Sequence, residues 1–174
     1  MATKVTPKTR SRLPKTMSSE NMKGLSEWHS LYQAYNAIFK VQEIALIPQG
    51  ISLPQLHLLA LLAYERRPLA VSELAAWMVK EPNSLTGLVD RTEAKGWVVT
   101  HGDPKDRRKR LVEFTDKGIK KFEEAFAVAN DASSALFRTL GTREMDQLKG
   151  SCNKLRDAAV KELLKKPMFK VRAL

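Results

Sequence analysis

One cysteine, Cys152, stands in 174 residues. A single thiol closes no intramolecular disulfide, which excludes a stapled secreted scaffold. Histidine is almost as scarce. His29, His57 and His101 are far apart, form no i, i+4 pair and have no cysteine cluster beside them, so neither a metal nor a cofactor is expected. No apolar run reaches 18 residues, so no membrane-spanning helix is expected. The first 24 residues are basic but lack the apolar stretch of a signal peptide. These absences predict a cytoplasmic protein with no membrane partner. Also missing are a phosphate-binding glycine loop, a G-x-S-x-G elbow and an H-E-x-x-H pair, so no enzyme class has support. Acids are the minority charge: 19 Asp and Glu face 30 Lys and Arg, for a formal net charge of +11. An excess that large calls for a polyanionic partner, and it says nothing about fold.

What is present is enough for a core, since 43% of residues are hydrophobic. Residues 1–24 carry six basic side chains against Glu20, with Pro7 and Pro14, and read as a basic flexible tail. A helix is expected over 26–47, with Ser26 as its cap. Trp28, Leu31, Tyr35, Ile38 and Ala45 fall on a row of three- and four-residue steps that polar Gln42 interrupts, and Tyr32, Phe39 and Leu46 widen that stripe. Ser52 with Gln55 reads as a capping box that opens a helix apolar nearly all round, a pattern for the centre of a domain.

Two short helices follow in close succession. Ser72 is expected to cap the first, with Leu74, Ala75 and Met78 inward. The second opens at Pro82, where a missing N–H costs nothing, and ends at Gly96, suited to the left-handed position after a helix. Leu85, Leu88 and Val89 form its inner face. Its outer face shows Asn83, Ser84, Thr86, Gly87, Asp90 and Arg91. Then come two β-prone runs, 97–100 and 111–114, around a Gly-Asp-Pro turn with Asp106, Arg107, Arg108, Lys109 and Arg110. The chain closes with a helix capped by Thr115 and another capped by Thr142. The last helix carries the stripe Met145, Leu148, Cys152, Leu155 and Ala159, which predicts a buried, inert thiol.

A short helix, a tight turn, a second helix and a basic hairpin make a winged helix-turn-helix. In that unit the second helix enters the major groove of double-stranded DNA. Short polar side chains approach base edges closely, and Arg91 is long enough to fork onto guanine. The helix N-terminus suits a phosphate. The basic hairpin suits the narrow, negative minor groove. The expected fold is therefore mainly α, a winged helix-turn-helix with a small β-hairpin wing plus N- and C-terminal helices.

The stretches VSELAAWMV, PNSLTGLVDRTEAKG and DRRKRLVEFTDKG, within 71–118, resemble the MarR family of multiple-antibiotic-resistance-type regulators. The resemblance implies a homodimer whose first and last helices form a dimerisation layer. It implies DNA contacts from Ser84, Thr86 and Arg91, an Asp106 that holds the wing arginine, and an Arg108 that enters the minor groove. It also implies a palindromic operator and a small aromatic effector, for which Trp28, His29, Tyr32 and His57 are candidate lining residues. Two positions depart from the family pattern: Thr92 stands for a common leucine, which is expected to loosen packing, and Thr100 for a common arginine, which removes a phosphate contact. The expected layout is a tail (1–24), a dimerisation helix (25–50), the DNA-binding domain (51–118), dimerisation helices (119–165) and a basic tail (166–174).

Several residues admit a plainer role. The wing cations alone read as a solvated charge run. Arg91 fits an ion pair with Asp90 as well as it fits a base contact, and the aromatics of the first helix fit a dimer core. A non-sequence-specific architectural or protein-interaction module is the rival function, with the basic tails supplying the affinity.

Overall fold

The computed structural model describes residues 23–165. Residues 1–22 and 166–174 of the two expected basic tails lie outside the described residues. The elements run α1 (Lys23–Leu46), α2 (Leu53–Glu65), β1 (Leu69–Ala70), α3 (Val71–Trp77), α4 (Pro82–Ala94), β2 (Val98–Gly102), β3 (Arg110–Phe114), α5 (Asp116–Phe137) and α6 (Thr142–Leu164). This is the expected mainly helical winged helix-turn-helix. The chain divides into two units within α1, one ending at Ala37 and the other beginning at Ile38. No single helix among the described residues is long and apolar enough to cross a membrane.

The second unit is organised around α2. Leu53, Leu56, Leu58, Leu59 and Leu62 are buried, and each fully buried leucine contributes about 1.5–3 kcal/mol. The helix is entered through the expected capping box: Ser52 Oγ accepts from the Gln55 N–H, and Gln55 Oε1 accepts from the Ser52 N–H. It stops at Arg66, in left-handed conformation with φ 53°. Around it lie α3, α4, α5 and β3. From α4 come Leu85, Leu88, Val89 and also Thr92, all buried. Thr92 fills its position without loosening it, because its hydroxyl donates to the Leu88 carbonyl at 2.7 Å.

Strand β3 is the middle of a three-stranded antiparallel sheet in the order β1-β3-β2. Its register sets Leu69 opposite Val112 and Thr100 opposite Val112 on the other side, and it ends with Gly102 opposite Arg110. The turn between α3 and α4 holds Val79 at φ 50°, a conformation that a β-branched residue rarely adopts. Gly96 takes φ 72° after α4, as the sequence suggests.

Three expected helix caps are corrected. Ser26 lies inside α1, which is already helical at Lys23, the first described residue. Ser72 lies inside α3, where the Glu73 carboxylate accepts from the Ala70 N–H at 2.9 Å and moves the start two residues upstream. Thr142 lies inside α6, where Glu144 does the same for Gly141 at 2.8 Å. An acid in the first turn replaces a hydroxyl at the cap in both cases. The buried thiol is corrected too. Cys152 is exposed, and Leu155 in the same stripe is 58% exposed, because no other element among the described residues covers that side of α6.

Helix α5 starts at its expected cap, Thr115, whose Oγ1 accepts from the Gly118 N–H and donates to the Gly96 carbonyl. Gly118 is where this helix meets the start of the wing. A Cβ there would lie 1.8 Å from the Trp97 carbonyl oxygen. We expect Gly118→Ala to destabilise the fold by about 3 kcal/mol or more, since the obstruction is backbone and does not swing aside. Chemical denaturation checks this, and an unchanged midpoint would contradict it.

Candidate nucleic-acid interface

Helix α4 is held by its inner face and shows its polar face outward. Asn83, Ser84, Thr86 and Arg91 are exposed, and Gly87 is half-buried. Thr86 Oγ1 donates to the Pro82 carbonyl at 3.0 Å, which leaves its lone pairs outward. The cap residue Glu81 makes no side-chain bond to the first turn, so the leading N–H groups of α4 keep their capacity to bind an anion.

The wing is β2, β3 and the tip between them. The tip is internally bonded: Asp103 Oδ1 accepts from the Lys105 N–H, and the Lys109 N–H donates to the Asp106 carbonyl. Asp106 Oδ1 accepts from both the backbone N–H and the side-chain Nε of Arg108, at 3.2 and 3.1 Å. These bonds from Arg108, the side-chain one foremost, hold the Asp106 carboxyl below its usual value. The expected Asp106–Arg108 pair is thus formed, and the Arg108 side chain stands 92% exposed. Arg107 and Lys109 are exposed beside it.

Arg110 was grouped with the tip by sequence, and it belongs to the base. Its Nη1 bonds Asp90 Oδ1 at 2.6 Å and its Nη2 bonds Glu93 Oε2 at 2.7 Å. Glu93 Oε1 also accepts from the Thr100 N–H and hydroxyl, each at 2.8 Å. The Thr100 hydroxyl is the main cause of a lowered Glu93 pKa, with Arg110 adding to it. So Asp90 pairs with Arg110 and not with its neighbour Arg91, a correction to the ion pair considered above. Glu93 went unnoticed in the sequence. Its signal was available: Asp90 and Glu93 sit at i, i+3, and Arg110 alternates onto the same strand face as buried Val112.

The candidate effector residues separate. Trp28, His29 and Tyr32 belong to the first unit, on exposed positions of α1, with the Trp28 and Tyr32 ring centroids 6.0 Å apart. His57 belongs to the second. Its surface is open to solvent in the single chain. The protein beneath the ring, and secondarily the Lys80 charge, nevertheless lower its pKa. A cavity of about 470 Å³ in the second unit is lined by other residues, including Leu62, Arg66, Phe114, Ile119 and Phe122. Among the described residues no group of three His, Cys, Asp or Glu side chains is placed to hold a metal.

With this geometry in hand, the family model described as "MarR family" matches residues 49–109. The HTH-type transcriptional repressor MdtR of Bacillus subtilis is 35% identical over 111 residues, which span 64% of this chain and 71% of MdtR. The chain belongs to the MarR family. Its members are transcriptional regulators that bind DNA, not enzymes. Among solved structures, CouR from Rhodococcus jostii, bound to p-coumaroyl-CoA, is 26% identical with a TM-score of 0.66, covering 72% of this chain and 87% of CouR. A mutant of MarR from E. coli, complexed with operator DNA, has a TM-score of 0.72 at 22% identity, covering 79% and 99%. At that identity the likeness is one of fold.

Glu93 ties this MarR-family wing to pH. Its folded pKa lies below the ordinary 4.5, so its contribution to stability is complete above that value and is lost as pH falls through the lowered one. The melting temperature of the wild type should exceed that of Glu93→Gln by most above pH 4.5, and the gap should close on further acidification. A gap that does not change with pH would contradict this.

Proposed function

We propose that the chain is a homodimeric, sequence-specific repressor that reads a palindromic operator. In each subunit, α4 lies in the major groove with Asn83, Ser84, Thr86, Gly87 and Arg91 against the DNA. The wing sets Arg108 in the adjacent minor groove, with Asp106 aiming it and Arg107 and Lys109 on phosphates. The observation that carries this reading is the junction at Arg110, which fastens the base of the basic wing to α4 at Asp90 and Glu93. A helix and a cationic finger joined in this way suit two neighbouring grooves of one duplex.

Two copies are needed for a palindrome, with half-site centres about 10 bp apart. Apolar side chains exposed in the single chain offer the area for pairing. On α1 these include Trp28, Leu31 and Tyr35, and on α5 and α6 they include Phe126, Leu148 and Leu155. In this division, residues 25–50 and 119–165 pair the subunits and 51–118 binds DNA. Repression is the sign suggested by MdtR. A small aromatic effector is suggested by the ligand of CouR, with Trp28, His29, Tyr32 and His57 as the residues to test. Such a ligand weakens DNA binding only if it binds the free and the DNA-bound spacing unequally.

Selection of bound duplexes from a random pool should return one inverted repeat. On that duplex, Arg108→Ala should cost about 1–3 kcal/mol of binding at fixed salt. Unchanged affinity would remove the wing from the interface. Equal recovery of all sequences would instead assign the chain to a non-sequence-specific architectural module.

A further inference from the structure

We infer that the Asp90–Arg110–Glu93 bridge, continued to Thr100, is a positioning device that gives the protein its sequence preference by fixing the wing relative to α4. The inference rests on the reading that α4 and the wing enter adjacent grooves. Two carboxylates on a surface that meets a polyanion are unfavourable there unless they do something else. Asp90 is 54% exposed and Glu93 34%, so neither is withdrawn into the core. Both are instead engaged by one guanidinium, at 2.6 and 2.7 Å, in a fork that a lysine ammonium cannot reproduce.

Glu93 reaches further. One oxygen holds Arg110 on β3, and the other holds the Thr100 N–H and hydroxyl on β2. A single side chain of α4 thereby grips both strands of the wing at its root. The family resemblance set Thr100 down as a lost phosphate contact, but in this fold it is the second point of attachment. The tip lies beyond that root. Arg108 stands two residues from Arg110 on the way to the tip, about 7 Å at about 3.3 Å per residue. A rotation of about 10° at the root would then carry its backbone roughly 1 Å, enough to break a hydrogen bond to DNA. Specific binding needs α4 and Arg108 in place together, whereas attraction to any duplex needs only the charge.

Charge and positioning predict opposite signs for one substitution. Glu93→Gln removes a negative charge from the DNA side. Were charge all that mattered, it would strengthen binding to every duplex. If the bridge positions the wing, affinity for the selected duplex should fall at least tenfold, while affinity for a scrambled duplex of equal length holds or rises. Arg110→Lys keeps the charge and loses the fork, and should lower the same ratio with the scrambled affinity unchanged. Circular dichroism on both variants establishes that the fold is retained, and either variant alone decides the matter. Ratios equal to wild type in the folded variants would overturn the inference and leave the proposed function standing. A wild type with no preference between the two duplexes would overturn both.

Discussion

A helix that has almost no side facing water must be enclosed, and α2 is that helix. Its leucines leave no surface for solvent over most of the circumference, so α3, α4, α5 and β3 are drawn around it. The rest of the DNA-binding unit follows from that enclosure. Leu85, Leu88, Val89 and Thr92 anchor α4 by one side, and its polar residues are left outward. Val112 anchors β3 from the same core, and β3 in turn carries β2 by hydrogen bonding and the wing tip by continuity. The recognition face is thus a consequence of what the inner face has to do.

The charge of the chain is distributed with more discrimination than its net value suggests. Of the cations between Gly102 and Leu111, Arg108 extends into solvent while Asp106 restrains its base. Arg110 is turned back onto α4. One arginine is therefore open to a partner and another serves the frame, although they are two residues apart. The end of the strand separates them: Arg110 lies within β3 and shares a face with Val112, while Arg108 lies in the turn before the strand begins.

Much of this was legible in the sequence, because it rests on local chemistry. Ser52 with Gln55, Pro82, Gly96 and Thr115 marked true helix ends, and the two polar-outside, apolar-inside patterns placed α4 and the wing in order. What was missed depends on groups distant in the chain or on competition between neighbours. Ser72 and Thr142 looked like caps, but Glu73 and Glu144 satisfied the N–H groups of Ala70 and Gly141 from inside the helix. The Arg110 bridge spans 17 and 20 residues, and only the hairpin register reveals it. The stripe of α6 was read as apolar and buried, and in the single chain it lies open. Periodicity reports that a face needs covering, not which molecule covers it.

If two subunits read two grooves each, methylated bases in both grooves block binding. Methylation interference on the selected duplex tests it most directly, because guanine N7 lies in the major groove and adenine N3 in the minor groove. Interference by N7 methylation is expected in two patches about 10 bp apart, one for each α4. Interference by N3 methylation should appear beside each patch, where Arg108 enters. A single N7 patch, or N3 methylation without effect anywhere, would contradict it.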